Sequence, residues 1–117
     1  MSQTKHISPE HLAQEMTRYI SGDERYKQVR GTITGFKAHH RRNAVEFRIS
    51  GLSCRLEFAP NPKRATLEVQ NSTKPRKTYD LDVGIETTQK GNLSPKTMRN
   101  IYEEKIIPAL RDYGSDH

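Results

Sequence analysis

The feature that most limits how this chain can fold is a series of five short runs in which apolar and polar residues alternate. The inward members of the runs, in order, are Val29, Gly31 and Ile33; Val45, Phe47 and Ile49; Cys54, Leu56 and Phe58; Ala65, Leu67 and Val69; and Tyr79, Leu81, Val83 and Ile85. Successive side chains of a strand point to opposite faces, so a period of two indicates a strand with one buried face. The pattern predicts an antiparallel sheet of about five strands over residues 26–87.

A helix is predicted before the strand region, over residues 9–21. Ser8 supplies a capping hydroxyl, Pro9 suits the first helical position, and Glu10 adds an acid to the first turn. Apolar residues then recur at helical spacing until Gly22, which is a typical C-terminal stop. These signals predict a short amphipathic helix.

A second helix is predicted after the strands, over residues 95–112. Ser94 and Pro95 again supply a cap and a first-turn proline, and Gly114 closes the helix. Pro108 lies inside the apolar stripe and lacks a backbone N–H, so we expect a kink or a break there. Each helix can bury its stripe on the sheet, which predicts an α+β fold with both helices packed on one face.

The glycines of the first predicted strand leave a second architecture open. Gly31 and Gly35 ease coiling or a bulge, and five short strands also suit a small, partly open barrel of the oligonucleotide-binding type with flanking helices. The strand ends at Phe36, whose parity is opposite to that of Ile33. Phe36 is therefore either an exposed platform for a stacked base or, after a bulge at Gly35, a core residue.

The length of the chain, 117 residues, indicates a single domain spanning 1–117, with residues 1–8 and 115–117 as frayed tails. Its hydrophobic fraction is 32%, so the core is expected to be thin. Disordered chains usually carry a strong charge imbalance, and a net charge of +6 over this length is modest. We therefore expect a small ordered domain.

The chain contains one cysteine, Cys54, which excludes an internal disulfide framework and a zinc cage built from cysteines. No apolar run approaches the roughly 18 residues that cross a bilayer, and residues 1–9 lack the apolar core of a signal peptide. We expect a cytoplasmic protein without a membrane partner, a metal or another cofactor.

The charge of the chain favours a polyanionic partner. Lys and Arg outnumber Asp and Glu by 20 to 14, and the isoelectric point is near 9.6. The excess is concentrated in residues 26–45, with five basic and no acidic residues, and in residues 60–78, with five basic and one acidic. Because phosphates bind such surfaces, nucleic acid is the first candidate partner.

In an up-and-down meander, alternate turns emerge at the same end of the sheet. The first predicted turn (38–42), the third (61–64) and the connection to the second helix (89–96) would meet there. The nucleic-acid-binding residues predicted at this end are Lys37, His39, His40, Arg41, Arg42, Lys63, Arg64, Lys90 and Lys96. A secondary basic patch at the opposite end would hold Lys74, Arg76 and Lys77.

The composition and the charge pattern favour a small basic nucleic-acid-binding protein that is not an enzyme. Its basic β-turns would contact the phosphate backbone, and RNA or single-stranded DNA would be preferred over duplex DNA, since neither helix carries a row of groove-reading polar residues. One alternative is a protein-interaction module or homodimeric adaptor that pairs through the free edge of its first strand. The other alternative is a small nuclease.

The nuclease alternative depends on two pairs of residues. His39 and His40 are adjacent, so their side chains point apart and do not easily share one metal ion. Asp80 and Asp82 lie two apart in a predicted strand and share a face, where they could hold magnesium or pair with Arg48 or Arg55 across the sheet. No catalytic residue is assigned from these patterns.

Overall fold

The computed structural model describes residues 7–29, 37–49, 51–60, 63–85 and 94–115. Its elements are, in chain order, helix α1 (Pro9–Ser21), a 3-10 turn (Glu24–Tyr26), strands β1 (Ala38–Arg41), β2 (Ala44–Ile49), β3 (Leu52–Phe58), β4 (Arg64–Gln70) and β5 (Lys77–Asp82), and a C-terminal helix composed of α2 (Pro95–Ile101), a π-helical segment (Tyr102–Ile106) and α3 (Ile107–Ser115). The predicted α+β class is confirmed. No helix among the described residues has both the length and the apolar character needed to cross a membrane.

The five strands form one antiparallel meander in the order β1-β2-β3-β4-β5. Val45, Leu56 and Leu67 lie opposite one another in adjacent strands and are fully buried on the inner face. β1 and β5 are the two edges of this sheet, so within the described strands it stays open. The alternative of a small, partly open barrel is therefore wrong.

The two helices cover the inner face, which explains why the sheet does not close on itself. α1 packs against β1, β2 and β3. The ring of Tyr19 on α1 lies 5.8 Å from that of Tyr102, which joins the C-terminal helix to the same layer. At the other edge, the Tyr79 hydroxyl of β5 donates to Asp112 of α3 at 2.8 Å. The predicted packing of both helices on one face is confirmed.

The limits of α1 follow the local signals in the sequence. The Ser8 hydroxyl accepts the backbone N–H of His11 at 3.1 Å, and Gly22 ends the helix with a φ of 84°. Ile7 is only 3% exposed and joins the core with Leu12, the arrangement of a hydrophobic staple. The expected fraying of residues 1–8 is thus wrong for Ile7 and Ser8; residues 1–6 and 116–117 lie outside the described part of the chain.

The irregularity expected at Pro108 is present as a π-helical segment and not as a break. The backbone N–H of Ile107 donates to the carbonyl of Tyr102, five residues earlier. Pro108 has no N–H to donate to Glu104, and its ring crowds that carbonyl, so a wider turn directly before the proline accommodates it. The helix therefore continues through this position.

The C-terminal helix extends past its predicted end at residue 112 to Ser115, with Gly114 inside it. Tyr113 explains the difference, because it is buried and its hydroxyl donates to the carbonyl of Pro75 at 2.9 Å. This contact with the β4–β5 loop holds the last turn in place.

The first strand is not where the alternation predicted it. Tyr26 belongs to the 3-10 turn and is fully buried, with its hydroxyl donating to the carboxylate of Glu15. Glu15 is only 3% exposed, and Arg25 Nη1 lies 2.9 Å from its carboxylate. Burial and the Glu15 hydrogen bond raise the pKa of Tyr26. Residues 30–36, which held most of the predicted strand and Phe36, lie outside the described residues.

The segment that was predicted as the first turn is instead strand β1. His39, His40 and Arg41 are all exposed, so β1 has no alternation of apolar and polar residues to reveal it. It is held as an edge strand by pairing with β2, in a register that places His40 opposite Val45. Tertiary pairing, and not local pattern, determines this element.

Candidate nucleic-acid interface

The β1–β2 turn consists of Arg42 and Asn43 and is hydrogen-bonded to the end of β3. Arg42 has a φ of 55°, in the left-handed region that side chains other than glycine adopt at a cost. The carbonyl of Asn43 accepts the backbone N–H of Phe58 at 2.8 Å, and the Asn43 side-chain amide donates to the Phe58 carbonyl at 2.8 Å. The turn is thus held beside the β3–β4 connection.

The β3–β4 connection is held in the same way between β3 and β5. The backbone N–H of Ala59 donates to the carbonyl of Arg64 at 3.0 Å, and the N–H of Val83 donates to the carbonyl of Lys63 at 2.9 Å. We call the exposed basic residues gathered here the end cluster: Arg41, Arg42, Lys63 and Arg64. Their turns meet at one end of the sheet, as the meander predicts, while Lys90 lies outside the described residues.

Carboxylates lie next to the end cluster on the outer face of the sheet, the face that the helices do not cover. Asp82 is directly opposite Arg64, and Asp80 and Glu57 each lie opposite Thr66. Asp82 also accepts the backbone N–H of Gly84 at 3.0 Å. The expected pairing of the two aspartates with Arg48 or Arg55 is therefore wrong, because the neighbour of β5 in the sheet is β4.

Lys96 lies at the start of the C-terminal helix, beyond the end of β5. The Ser94 hydroxyl caps this helix by accepting the backbone N–H of Lys96 at 3.2 Å. The next residue, Thr97, lines a cleft of about 450 Å³ with Gly84 and Ile85, which follow β5. Lys96 itself is exposed.

Lys37 is separated from the end cluster by the length of β1, and the two histidines lie between Lys37 and Arg41 on opposite faces of the strand. Lys37 precedes this strand and so lies at the opposite end from Arg41. His39 is on the outer face, with Nε2 3.9 Å from Oε2 of Glu46, and His40 is on the other face. Neighbouring positions in a strand keep the two imidazoles apart, and no group of three or more potential metal ligands occurs among the described residues.

The secondary basic patch is partly used to hold the C-terminal helix. Lys74 Nζ donates to the carbonyl of Tyr113 at 3.0 Å, a favourable place for a cation at the end of a helix. Lys77 Nζ lies 3.1 Å from Oδ2 of Asp112. Arg76 instead faces the outer side, with Nη1 3.9 Å from Oε1 of Glu68.

Asp112 is the centre of this anchor, which we call the helix clasp (Lys77, Tyr79 and Asp112). The hydrogen bond from Tyr79 and then that from Lys77 lower the pKa of Asp112. The same hydrogen bond raises the pKa of Lys77, and burial together with the bond to Asp112 raises the pKa of Tyr79. Each pKa shift favours a charged Asp112, a charged Lys77 and a neutral Tyr79. In these charge states the three side chains join β5 to α3.

Two arginines of the outer face, Arg48 and Arg55, were not among the residues predicted to bind nucleic acid. Arg48 and Arg55 are exposed on β2 and β3, and they alternate with buried residues, so their parity already placed them outward. Arg48 lies opposite Ser53, and Arg55 lies opposite both Glu46 and Glu68. Their position relative to other cations depends on the strand register, which the sequence does not give.

The outer face offers charged and polar groups and no Phe or Tyr side chain on its described strands. Phe47 and Phe58 belong to the core, as does Cys54, whose pKa is raised by burial to about 12. The arrangement can therefore hold anions through Arg and Lys and hydrogen-bond polar groups through carboxylates. Comparisons of the chain with protein-family models, with curated proteins and with solved structures each found no match.

Proposed function

We propose that this chain is a small basic nucleic-acid-binding protein that contacts the phosphate backbone and is not an enzyme. The observation that carries the proposal is the hydrogen-bonded contact of the β1–β2 turn, at Asn43, with Phe58 at the end of β3, directly before the connection that carries Lys63 and Arg64. It brings Arg41 and Arg42 to the same end of the sheet as Lys63 and Arg64.

The end cluster has a size that suits a few consecutive nucleotides. Arg41 on β1 and Arg64 on β4 are three strands apart, a separation of about 14 Å at the usual strand spacing. Guanidinium groups bind phosphate oxygens in a bidentate manner, and each neutralised phosphate releases counterions. Binding would therefore depend strongly on salt.

A single strand, RNA or DNA, fits this end better than a duplex does. The carboxylates of Glu57, Asp80 and Asp82 adjoin the end cluster on the outer face, where the second phosphate backbone of a duplex would meet like charge. Each helix buries its apolar stripe in the core beneath the sheet, and neither carries a dense row of polar residues of the kind that reads the major groove.

The alternative of partner binding through the edge of the first strand has less support. At Ala38 of the edge strand β1, the Ser21 hydroxyl accepts the backbone N–H at 3.1 Å and donates to the carbonyl at 3.3 Å. These two groups are therefore already used within the chain. A cytoplasmic location forms part of the proposal, supported by the unpaired, buried thiol of Cys54.

The proposal is tested by fluorescence anisotropy with labelled single-stranded RNA, single-stranded DNA and duplex DNA of equal length. We expect the wild type to bind single strands more tightly than duplex. Arg41→Ala/Arg42→Ala should weaken binding by about tenfold, the effect of two lost charge-assisted contacts. The matched control is Lys27→Ala/Arg111→Ala, which removes the same charge elsewhere. Absence of wild-type binding, or an equal loss in the control, contradicts the proposal.

A further inference from the structure

The strand register aligns cations in a row across the outer face, at the end opposite the end cluster. Arg48 lies opposite Ser53, and Ser53 lies opposite Gln70; Lys37 and Arg76 extend the row one residue beyond the ends of β1 and β5. We call these five positions the basic row. It crosses the whole sheet, about 19 Å at the usual strand spacing, and contains three cations and no acid.

The adjacent row of outer-face positions differs from the basic row because it contains two carboxylates, those of Glu46 and Glu68. Glu46 and Glu68 lie on either side of Arg55, directly opposite it in the neighbouring strands. Arg55 forms an ion pair along its own strand, with Nη2 3.3 Å from Oε1 of Glu57. The side chains of Glu46 and Glu68 are 35% and 38% exposed, so both carboxylates reach solvent.

These two rows border a groove in the outer face. One depression of about 590 Å³ is lined by Lys37, His39 and Arg48, and a second of about 140 Å³ is lined by Arg55, Glu68, Gln70 and Arg76. Both are also lined by Glu46, Ser53 and Cys54, so they adjoin. Cations therefore line one side of the groove, and the carboxylates of Glu46 and Glu68, with Arg55 between them, line the other.

We propose that this groove binds a single strand of nucleic acid across the β-strands, in an inference that rests on the function proposed above. Its phosphates lie over the basic row, and its base edges lie over Glu46 and Glu68. Carboxylates accept hydrogen bonds from the exocyclic amino groups of bases, such as N4 of cytosine, and thymine and uracil have no such group. The groove therefore prefers cytosine-rich strands to thymine-rich or uracil-rich strands.

The same carboxylates select against a duplex. A second phosphate backbone would lie over Glu46 and Glu68, where two negative charges would be brought together. The single strand avoids this repulsion because only its bases reach the carboxylate side. The groove and the end cluster occupy opposite ends of the sheet, so separate variants can test them.

The test is anisotropy with labelled oligo-dC and oligo-dT of 15 nucleotides, about the length that covers one small binding face. Arg48→Ala should weaken the binding of both oligonucleotides by about threefold to tenfold, because one phosphate contact is lost. Arg111→Ala on the C-terminal helix is the matched control for charge and should have a smaller effect on both.

Glu46→Gln/Glu68→Gln should bring the ratio of the two affinities close to one. Glu57→Gln is the control, because Glu57 lies on the same face outside the two depressions. It measures any general gain in affinity from removing negative charge, and it should keep the preference for oligo-dC. Thermal unfolding of each variant verifies that the fold is retained.

The outcomes separate the groove from the end cluster. Equal wild-type affinity for the two oligonucleotides, or equal effects of Arg48→Ala and Arg111→Ala, overturns the groove. If Arg41→Ala/Arg42→Ala still weakens binding in that case, the proposed function stands without the groove. If the wild type binds neither oligonucleotide, the groove is overturned, and the proposed function falls with it if single-stranded RNA is not bound either.

Discussion

The backbone N–H of Phe58 donates to the carbonyl of Asn43 at 2.8 Å, and the side-chain amide of Asn43 donates back to the carbonyl of Phe58 at the same distance. This reciprocal pair links the β1–β2 turn to the end of β3. It holds Arg42 beside the connection that carries Lys63 and Arg64, so the shape of the end cluster depends on it.

Asn43→Ala removes the side-chain half of this pair and leaves the carbonyl of the fully buried Phe58 without that donor. We expect the free energy of unfolding to fall by about 1 kcal/mol, the usual loss for one hydrogen bond of this kind. Urea denaturation measures the change, with Asn100→Ala on the exposed side of the C-terminal helix as the control. An unchanged midpoint for Asn43→Ala would show that the bond does not hold the turn.

Arg42→Gly separates binding from stability. Glycine adopts a φ of 55° without strain, so the stability of the variant should equal or exceed that of the wild type by up to about 1 kcal/mol. Its affinity for a single-stranded oligonucleotide should nevertheless fall, because one cation of the end cluster is lost. Urea denaturation and anisotropy on the same preparation check both effects; unchanged affinity would remove Arg42 from the interface.

The helix clasp should make stability depend on pH at both extremes. The pKa of Asp112 is lowered from its ordinary 3.8, so its contribution is present above that pH and is lost as pH falls through the lowered value. The pKa of Lys77 is raised from 10.5, so its contribution is present below pH 10.5 and is lost as pH rises through the raised value. Between these limits the clasp is intact.

Asp112→Asn tests how much the charge of Asp112 contributes to stability and whether that contribution is lost at low pH. The Tm of the wild type should exceed that of Asp112→Asn near neutral pH, and the gap should close under acid conditions, where Asp112 is protonated. The gap should be small because both charged groups are largely exposed to solvent. A gap that persists unchanged under acid conditions would contradict a role for the Asp112 charge.

Cys54 should be unreactive in the folded chain. Its side chain lies in the core, the residue is 4% exposed, and burial raises the pKa of its thiol to about 12, so almost no thiolate is present at pH 8. A thiol-specific reagent should react with it slowly in buffer and rapidly in concentrated urea. Equal rates under the two conditions would show that Cys54 is not buried.

Local signals were sufficient to predict much of the fold. Ser8 and Gly22 mark both ends of α1, and residues 44–70 alternate between apolar and polar positions through three successive strands. β1 was missed because its side chains are exposed on both faces, and the alternation begun at Tyr26 led to the wrong segment. Edge strands of this kind carry little pattern of their own, so only their pairing identifies them.

The order of the strands in a meander was enough to predict which turns meet at one end of the sheet, but not the strand register or the contacts between distant elements. The meander brought Arg41 and Arg64 to one end, but the shifted position of β1 moved Lys37 to the other. Lys77 was assigned to a basic patch because its contact with Asp112, 35 residues later, is not visible in the sequence. Parity alone placed Arg48 outward, yet its alignment with Lys37 and Arg76 required the register.

The proposed function requires that the turns at one end of the sheet bind a single strand through its phosphates. The most direct measurement is the affinity for a single-stranded oligonucleotide between about 50 and 200 mM salt. We expect a linear fall of log Kobs with log salt, with a slope shallower by about 0.7 per lost contact in Arg41→Ala/Arg42→Ala. An affinity that does not change with salt, or the same slope in wild type and variant, would contradict it.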